Sequence, residues 1–108
     1  MVNKPTLNEL VFAALKKIPR GRIVTYKILA HAIGRPRAAR AVANAVGRNK
    51  QAPRVPCHRV IRSDGQIGGY SGCGGATAKM RLLKNEGVAV RRSRVENLQK
   101  FLYNFKAK

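Results

Sequence analysis

The 108-residue sequence predicts a single, mainly α-helical domain with one small β-hairpin. Apolar residues recur at helical spacing through the first half of the chain, and Pro19, Gly34 and Gly47 interrupt that spacing where helices should end. The Asp64-Gly65 pair lies between two short segments of strand-like composition and is typical of a hairpin turn. Together these observations favour a helix-turn-helix scaffold with a hairpin wing.

The first helix is predicted over residues 7–18. Thr6 and Glu9 have the spacing of a capping box, and Pro19 follows the last apolar residue. The side chains that would form its apolar face are Leu7, Leu10, Val11, Ala14, Leu15 and Ile18.

Two shorter helices follow, and their order resembles a helix-turn-helix pair. Thr25 can cap a helix that runs to Ile33 and ends at Gly34, and Pro36 is well placed near the start of a helix that runs to Val46. The second helix is slim and basic; its alanines and flanking arginines are Ala38, Ala39, Ala41, Ala43, Ala45, Arg35, Arg37, Arg40 and Arg48. A slim helix lets its backbone approach either DNA or a neighbouring helix. Both interpretations are open at this point.

The second half of the chain predicts a hairpin and then a glycine-rich loop. The hairpin would pair residues 60–62 with residues 66 and 67 across the Asp64-Gly65 turn. The loop over residues 68–75 is poor enough in side chains to wrap around a flat ligand, with Tyr70 and Ser71 as its larger residues. It lacks the Gly-Lys-Ser/Thr sequence of a phosphate-binding Walker loop.

A further helix over residues 77–85 and a basic, amphipathic tail over residues 91–108 complete the chain. The apolar residues of the tail are expected to pack back onto the domain, and they are Val95, Leu98, Phe101, Leu102 and Phe105.

The charge balance points to a polyanionic partner. Lys and Arg number 23 against four acidic residues, which gives a net charge of +19. Nucleic acid is the first candidate, because neutralised phosphates release counterions, and an anionic membrane is the alternative. The first residues lack an apolar signal segment, so an intracellular location is expected, in the cytoplasm of a prokaryote or in a nucleus. Cys57 and Cys73 are then expected to be thiols, and we expect neither a metal site nor a cofactor.

Cys57 lies in the segment PRVPCHRVIR and could be a small core residue, a metal ligand or a nucleophile. A nucleophilic cysteine needs help to lose its proton, and the adjacent His58 could act as a base through a water molecule. A histidine base usually needs a third group to hold its orientation. Thr6 and the hairpin turn account for Glu9 and Asp64, which leaves Glu86 as a candidate for that role. Spacing alone does not decide among the three interpretations.

The chain resembles the O6-alkylguanine-DNA alkyltransferases. VPCHRVI matches the signature of that family, in which the cysteine accepts the alkyl group. Five more blocks occur in the family's order and at about its spacing: GRIVTYKILA, RAARAV, GRN, GGYSG and LLKNEG. The resemblance covers roughly residues 7–90, the C-terminal DNA-binding and catalytic domain of the family, and implies that its N-terminal domain is absent.

The resemblance implies a chemical role for four residues. Cys57 would accept the alkyl group, His58 with a water would take the thiol proton, and Glu86 would orient His58. Tyr26 would help to rotate the nucleotide and would protonate the leaving guanine. Transfer to sulphur leaves a thioether, so each molecule would act once.

The resemblance also implies how the domain meets its substrate. Arg40 would fill the gap left by a flipped-out nucleotide, in a helix-turn-helix that binds the minor groove of duplex DNA with little sequence preference. The other implied DNA-binding residues are Arg37, Ala38 and Ala39. The implied substrate-pocket residues are Tyr70 and Ser71 over the base, Val60, and Asn49, which would tie the recognition helix to the active-site turn. Two roles are open for Arg59: it could contact a phosphate, or it could brace the active-site turn.

Two departures from the family pattern bear on these expectations. Cys73 is an unusual residue in the glycine-rich loop; we expect it to be inert, the alternatives being oxidative pairing with Cys57 or a second alkylation site. Short relatives of the family include alkyltransferase-like proteins, which bind lesions without repairing them and lack the reactive cysteine. A non-catalytic lesion-binding protein and a general basic DNA-binding protein are therefore the alternatives to a monomeric repair enzyme.

Overall fold

The computed structural model describes residues 4–48, 55–68 and 75–105. The elements in chain order are α1 (Leu7–Leu15), β1 (Val24–Thr25), α2 (Tyr26–Ala32), α3 (Ala39–Gly47), a 3-10 helix (Cys57–Arg59), β2 (Val60–Ile61), α4 (Gly75–Asn85), β3 (Val90–Arg91), β4 (Arg94–Val95) and α5 (Leu98–Phe101). The fold is mainly helical with small strands, which confirms the predicted fold class. Among the described residues, no helix is long and apolar enough to cross a membrane.

Helix α1 begins where the sequence predicts and ends three residues earlier. The capping box is present, because the Thr6 hydroxyl accepts from the Glu9 amide at 3.1 Å and the Glu9 carboxylate accepts from the Thr6 amide at 3.1 Å. The chain then tightens, and the Ile18 amide donates to the Leu15 carbonyl at 3.1 Å. Ile18 is still buried, so the apolar pattern extends beyond the regular helix.

Helices α2 and α3 form the predicted pair. The Thr25 hydroxyl accepts from the Ile28 amide at 3.1 Å and caps α2. Helix α3 begins later than Pro36, because a turn closed by the Ala38 amide on the Arg35 carbonyl at 2.9 Å precedes it. That turn reorients the chain between the two helices.

The strand pairing differs from the predicted hairpin. The turn itself forms, with the Gly65 amide donating to the Arg62 carbonyl at 2.9 Å. However, β2 pairs in parallel with β1, and Gln66 forms an isolated bridge with Arg94. The reason is burial: both residues of β2 are fully buried, and a strand buried on both faces favours an internal position beside another buried strand. Within the described residues, the antiparallel pair is β3 with β4.

The β1–β2 pair separates two hydrophobic cores, because successive strand residues point to opposite faces. Val24 and Val60 belong to the first core, which α1, α2 and α3 surround. Ile23 and Ile61 belong to the second core, which also contains Leu83 of α4. The apolar residues of the C-terminal segment cover these cores: Val95, Leu98, Phe101 and Leu102 lie in or against the second core and Phe105 lies against the first.

Candidate active site

Cys57 and His58 lie on the 3-10 helix, which we call the cysteine turn (Cys57–Arg59). Both are buried, with 2% and 1% of their surface exposed. Pro56 has φ −82° and ψ 67°, and the Cys57 amide donates to the Val55 carbonyl at 2.8 Å, which forms an inverse γ-turn before the cysteine. Val60 follows the turn and is completely buried in the first core. The γ-turn fixes the cysteine turn at its start, and the buried side chain of Val60 anchors its end in the first core.

His58 is paired with Glu86, which lies directly after α4. The distance from His58 Nε2 to Glu86 Oε2 is 2.9 Å, and the two side chains are 2% and 6% exposed. The structure thus brings together three of the residues assigned to the chemistry, since Cys57 is adjacent to His58.

Arg59 braces this pair. Its Nε donates to Glu86 Oε1 at 2.9 Å and its Nη2 donates to Glu86 Oε2 at 2.7 Å. Its Nη1 donates to the Ile18 carbonyl at 2.7 Å, at the end of the first helical segment. Of the two roles left open for Arg59, the structure shows the brace for the turn.

The electrostatics define the protonation states of the pair at neutral pH. Burial raises the pKa of Glu86, but the hydrogen bonds from Arg59 and His58 outweigh it and lower that pKa to about 2. Burial lowers the pKa of His58, and the Glu86 carboxylate opposes this shift only in part. A carboxylate only accepts, so His58 Nε2 donates the hydrogen and Nδ1 carries the lone pair. Nδ1 is buried and makes no hydrogen bond to any residue that the structure describes.

Tyr26 begins α2 directly after β1, the strand that pairs with the residues following the cysteine turn. Burial raises the pKa of Tyr26, the electrostatic interaction with Cys57 raises it further, and Arg62 opposes the shift. The phenol therefore keeps its proton at neutral pH and is able to donate it. Tyr26 also packs against the first core, to which Cys57 belongs.

Lys79 lies outside the sequence blocks that carry the resemblance. It lies on α4 and is 1% exposed. Burial lowers its pKa to about 8, and the interaction with Cys57 opposes that shift. Lys79, Leu83 and Glu86 follow the i, i+4, i+7 spacing of one helix face, which packs against the cysteine turn. This spacing is the signal in the sequence that could have identified Lys79.

The residues assigned to DNA binding lie on and before α3. Arg37 and Arg40 are exposed, whereas Ala38 and Ala39 are half-buried and pack against the first core. The helix is thus both a packing element and a basic surface, which combines the two interpretations of its composition. Asn49, Tyr70, Ser71 and Cys73 lie outside the described residues.

Comparison with curated proteins finds repair proteins. The chain is 50% identical over 78 residues to the Escherichia coli bifunctional transcriptional activator/DNA repair enzyme Ada, with 72% of this chain and 22% of that protein covered. It is 49% identical over 80 residues to the rat methylated-DNA--protein-cysteine methyltransferase, with 74% of this chain and 38% of that protein covered. The chain therefore spans well under half the length of these two relatives.

Solved structures share the fold. The Mycobacterium tuberculosis OGT in complex with DNA is 42% identical with a TM-score of 0.72, covering 80% of this chain and 52% of that one. The S. pombe Atl1 protein, solved with damaged DNA containing O6-carboxymethylguanine, is 28% identical with a TM-score of 0.81, covering 95% of this chain and 99% of that one.

A family model decides the assignment. The model of the DNA-binding domain of 6-O-methylguanine DNA methyltransferase matches residues 6–88, which include α1 to α4 and the cysteine turn. The chain therefore belongs to the family of the 6-O-methylguanine DNA methyltransferase DNA-binding domain.

Proposed function

We propose that this chain repairs DNA by direct reversal, with Cys57 accepting the alkyl group of O6-alkylguanine. The observation that carries the proposal is the 2.9 Å contact between His58 Nε2 and Glu86 Oε2, directly beside the buried cysteine. A neutral imidazole held by a carboxylate is the arrangement that a buried thiol needs in order to lose its proton.

The reaction follows from these protonation states. A water molecule carries the Cys57 proton to Nδ1 of His58, and Glu86 stabilises the imidazolium that forms. The sulphur attacks the alkyl carbon, the bond between that carbon and O6 breaks, and the guanine takes up the proton of Tyr26. The product is a thioether, which neither His58 nor Glu86 can cleave. Each molecule therefore acts once, without a cofactor.

The substrate is duplex DNA with the damaged nucleotide rotated out of the stack, because a base inside the duplex cannot reach a buried thiol. The exposed arginines before and within α3 contact the DNA backbone, and Arg40 occupies the space left by the nucleotide. Because its side chains are small, α3 fits the narrow minor groove. Small side chains also read few base edges, so we expect little sequence preference. Tyr70, Ser71 and Asn49 complete the pocket in this proposal. The protein acts as a monomer inside the cell.

The test is the intact mass of the protein after incubation with a duplex carrying one O6-methylguanine. Cys57→Ser and Cys73→Ser variants are treated in parallel. We expect a gain of one methyl group in the wild type and in Cys73→Ser, and no gain in Cys57→Ser. The proposal would be overturned if the wild-type protein gained no mass. If the Cys57→Ser variant still gained a methyl group, a residue other than Cys57 would be the acceptor.

A non-catalytic lesion-binding protein is the second candidate. The observation that favours it is the similarity to Atl1, which extends over 99% of that chain and over 95% of this one. Tight binding that prefers the damaged duplex, without any gain in mass, would support this function. Binding without preference for the lesion would leave a general basic DNA-binding protein.

A further inference from the structure

The β3–β4 hairpin has an unusual turn. Arg92 and Ser93 connect the strands with φ values of 52° and 62°, so both residues adopt the left-handed conformation of a type I′ turn. Asn-Gly is the usual choice at these two positions, because an ordinary side chain is disfavoured there. This hairpin keeps an arginine and a serine at an energetic cost.

The hairpin also concentrates positive charge. Arg91 and Arg94 are directly opposite each other in the β3–β4 register, and like charges in that position destabilise a strand pair. Arg91, Arg92 and Arg94 are exposed, and none of the three forms an ion pair within residues 4–48, 55–68 and 75–105. A bound anion between Arg91 and Arg94 would turn the repulsion into attraction.

The hairpin is attached to residues 64–67, which follow the cysteine turn and β2 in the chain. The Ile67 amide donates to the Ser93 carbonyl and the Val95 amide donates to the Gly65 carbonyl, both at 2.9 Å. Arg94 Nη1 also donates to the Asp64 carbonyl at 2.8 Å. The turn of the hairpin thus lies against the residue before Gly68, where the glycine-rich loop begins.

Arg62 lies close to the start of the glycine-rich loop and also acts electrostatically on Tyr26. The Arg62 side chain passes Gly68 closely, since its Cγ is 3.4 Å from the position that a Cβ of Gly68 would take. The charge of Arg62 acts on Tyr26, which in turn interacts with Cys57. The basic hairpin is therefore attached to the stretch of chain that leads from the cysteine turn and β2 to Gly68, where the glycine-rich loop begins.

We propose that the β3–β4 hairpin is a second DNA contact, in which Arg91, Arg92 and Arg94 bind backbone phosphates beside the rotated nucleotide. The proposal rests on the proposed function, because it needs DNA at the Cys57 site. Several adjacent arginines on an extended ribbon match the closely spaced charges of a phosphate backbone. An isolated carboxylate would neutralise only one of them.

The experiment measures the affinity for an undamaged duplex by fluorescence anisotropy over a series of salt concentrations. Each phosphate contact contributes about 0.9 to the slope of log affinity against log salt. The Arg91→Gln/Arg94→Gln variant should therefore lose about 1.8 from that slope, and its affinity should fall at least about tenfold at low salt. The single Arg92→Gln variant should lose about 0.9.

The matched control is Lys16→Gln/Lys17→Gln, which removes the same charge from two exposed residues after α1. The slope of this control should stay close to that of the wild type. An equal loss in the control would show that only the net charge matters and would overturn the proposal. An unchanged slope in the hairpin variants would overturn it as well and would point to a different partner, such as an acidic protein surface.

Two further measurements separate a failed hairpin contact from other failures. Thermal unfolding checks the fold of each variant. Arg91→Gln/Arg94→Gln loses the hydrogen bond from Arg94 to the Asp64 carbonyl but also loses the like-charge pair, so its unfolding temperature should stay close to that of the wild type. The dependence of affinity on salt does not require alkyl transfer. The hairpin contact can therefore be tested even if Cys57 does not react. Conversely, wild-type methyl transfer together with an unchanged slope in the hairpin variants would reject the hairpin contact alone.

Discussion

Arg59 holds Glu86 through both carboxylate oxygens, with Nε 2.9 Å from Oε1 and Nη2 2.7 Å from Oε2. The third nitrogen of the same guanidinium, Nη1, is 2.7 Å from the Ile18 carbonyl. Because a planar guanidinium fixes the carboxylate in one plane, Glu86 is oriented toward His58 without any substrate. The His58–Glu86 pair is thus organised by the fold itself.

Replacing Arg59 by lysine should weaken this organisation although the charge is kept, because an ammonium cannot form the same fork. We expect Arg59→Lys to lower the free energy of unfolding by about 1–3 kcal/mol, measured by urea denaturation. Arg20→Lys is the control, since exposed Arg20 donates to the Asn85 carbonyl alone among the described residues. Equal losses in the two variants would show that the fork around Glu86 is not special.

The acid stability of the protein should depend on Glu86. Its pKa is about 2 in the folded protein, below the ordinary value of 4.5. A lowered carboxyl pKa stabilises the fold above pH 4.5, and this contribution is lost as the pH falls from 4.5 to 2. Glu86→Gln should cost about 3–5 kcal/mol at pH 7, because it leaves Arg59 without its carboxylate, and should flatten the pH dependence in that window. Unfolding curves at pH 7, 4.5 and 2.5 check both expectations, and parallel pH profiles in the two proteins would contradict them.

His58 should produce a second pH dependence, near neutrality. Burial lowers its pKa below 6.5, so the unfolded chain binds a proton more readily than the folded one. The resulting stability is present above pH 6.5 and is lost as the pH falls through the lowered folded value. Denaturation at pH 8 and at pH 5.5 should therefore show a larger difference in the wild type than in His58→Gln. If the two proteins lose the same stability, His58 is not the group responsible.

Lys79 should influence the reactivity of Cys57. Lys79 is buried and interacts electrostatically with Cys57. Because a nearby positive charge promotes the attack of a cysteine on an electrophile, Lys79→Met should slow the reaction of Cys57 with iodoacetamide about tenfold at pH 7. Peptide mass mapping separates Cys57 from Cys73. Lys84→Met removes the same charge from an exposed position on the same helix and should react like the wild type. A folded Lys79→Met protein with unchanged reactivity would show that this charge does not assist the thiol.

Relaxing the hairpin turn should stabilise the protein. The Arg92→Asn/Ser93→Gly variant places the preferred type I′ residues at the two left-handed positions. We expect the free energy of unfolding to rise by about 1–2 kcal/mol, since glycine removes the strain at position 93 and asparagine relieves part of it at position 92. Thermal and urea unfolding would measure the gain. A loss of stability would mean that the native side chains make contacts outweighing the strain.

The helices could be predicted from the sequence because their signals are local. The capping box at Thr6, the cap at Thr25 and the glycine after α2 act within a few residues. The start of α3 could not be predicted as well, because the turn before Ala39 depends on how Pro36 and its neighbours leave α2. The partner of β2 could not be predicted, because it depends on residues far apart in the sequence. Val60 is buried in one core and Ile61 in the other, and this burial places β2 beside β1.

The site could be predicted in part. The position of Cys57 and His58 follows from one short motif, and Glu86 is a candidate because the local sequence accounts for Glu9 and Asp64. The burial of Lys79 could not be foreseen from composition, since lysine is ordinarily exposed. Only the packing of α4 against the cysteine turn places that ammonium inside the protein.

The parallel pairing of Val24 with Val60 and of Thr25 with Ile61 limits how this domain can be re-engineered. Thr25 caps the first helix of the DNA-binding pair, and Val60 directly follows the cysteine turn. A shift of one residue in this pairing would displace the thiol by about 3.3 Å and exchange the faces of the strands. In the proposed function, DNA recognition and alkyl transfer therefore depend on the same two-residue strand pair. A chimera that borrows the helix pair from a homologue must transplant the cysteine segment with it.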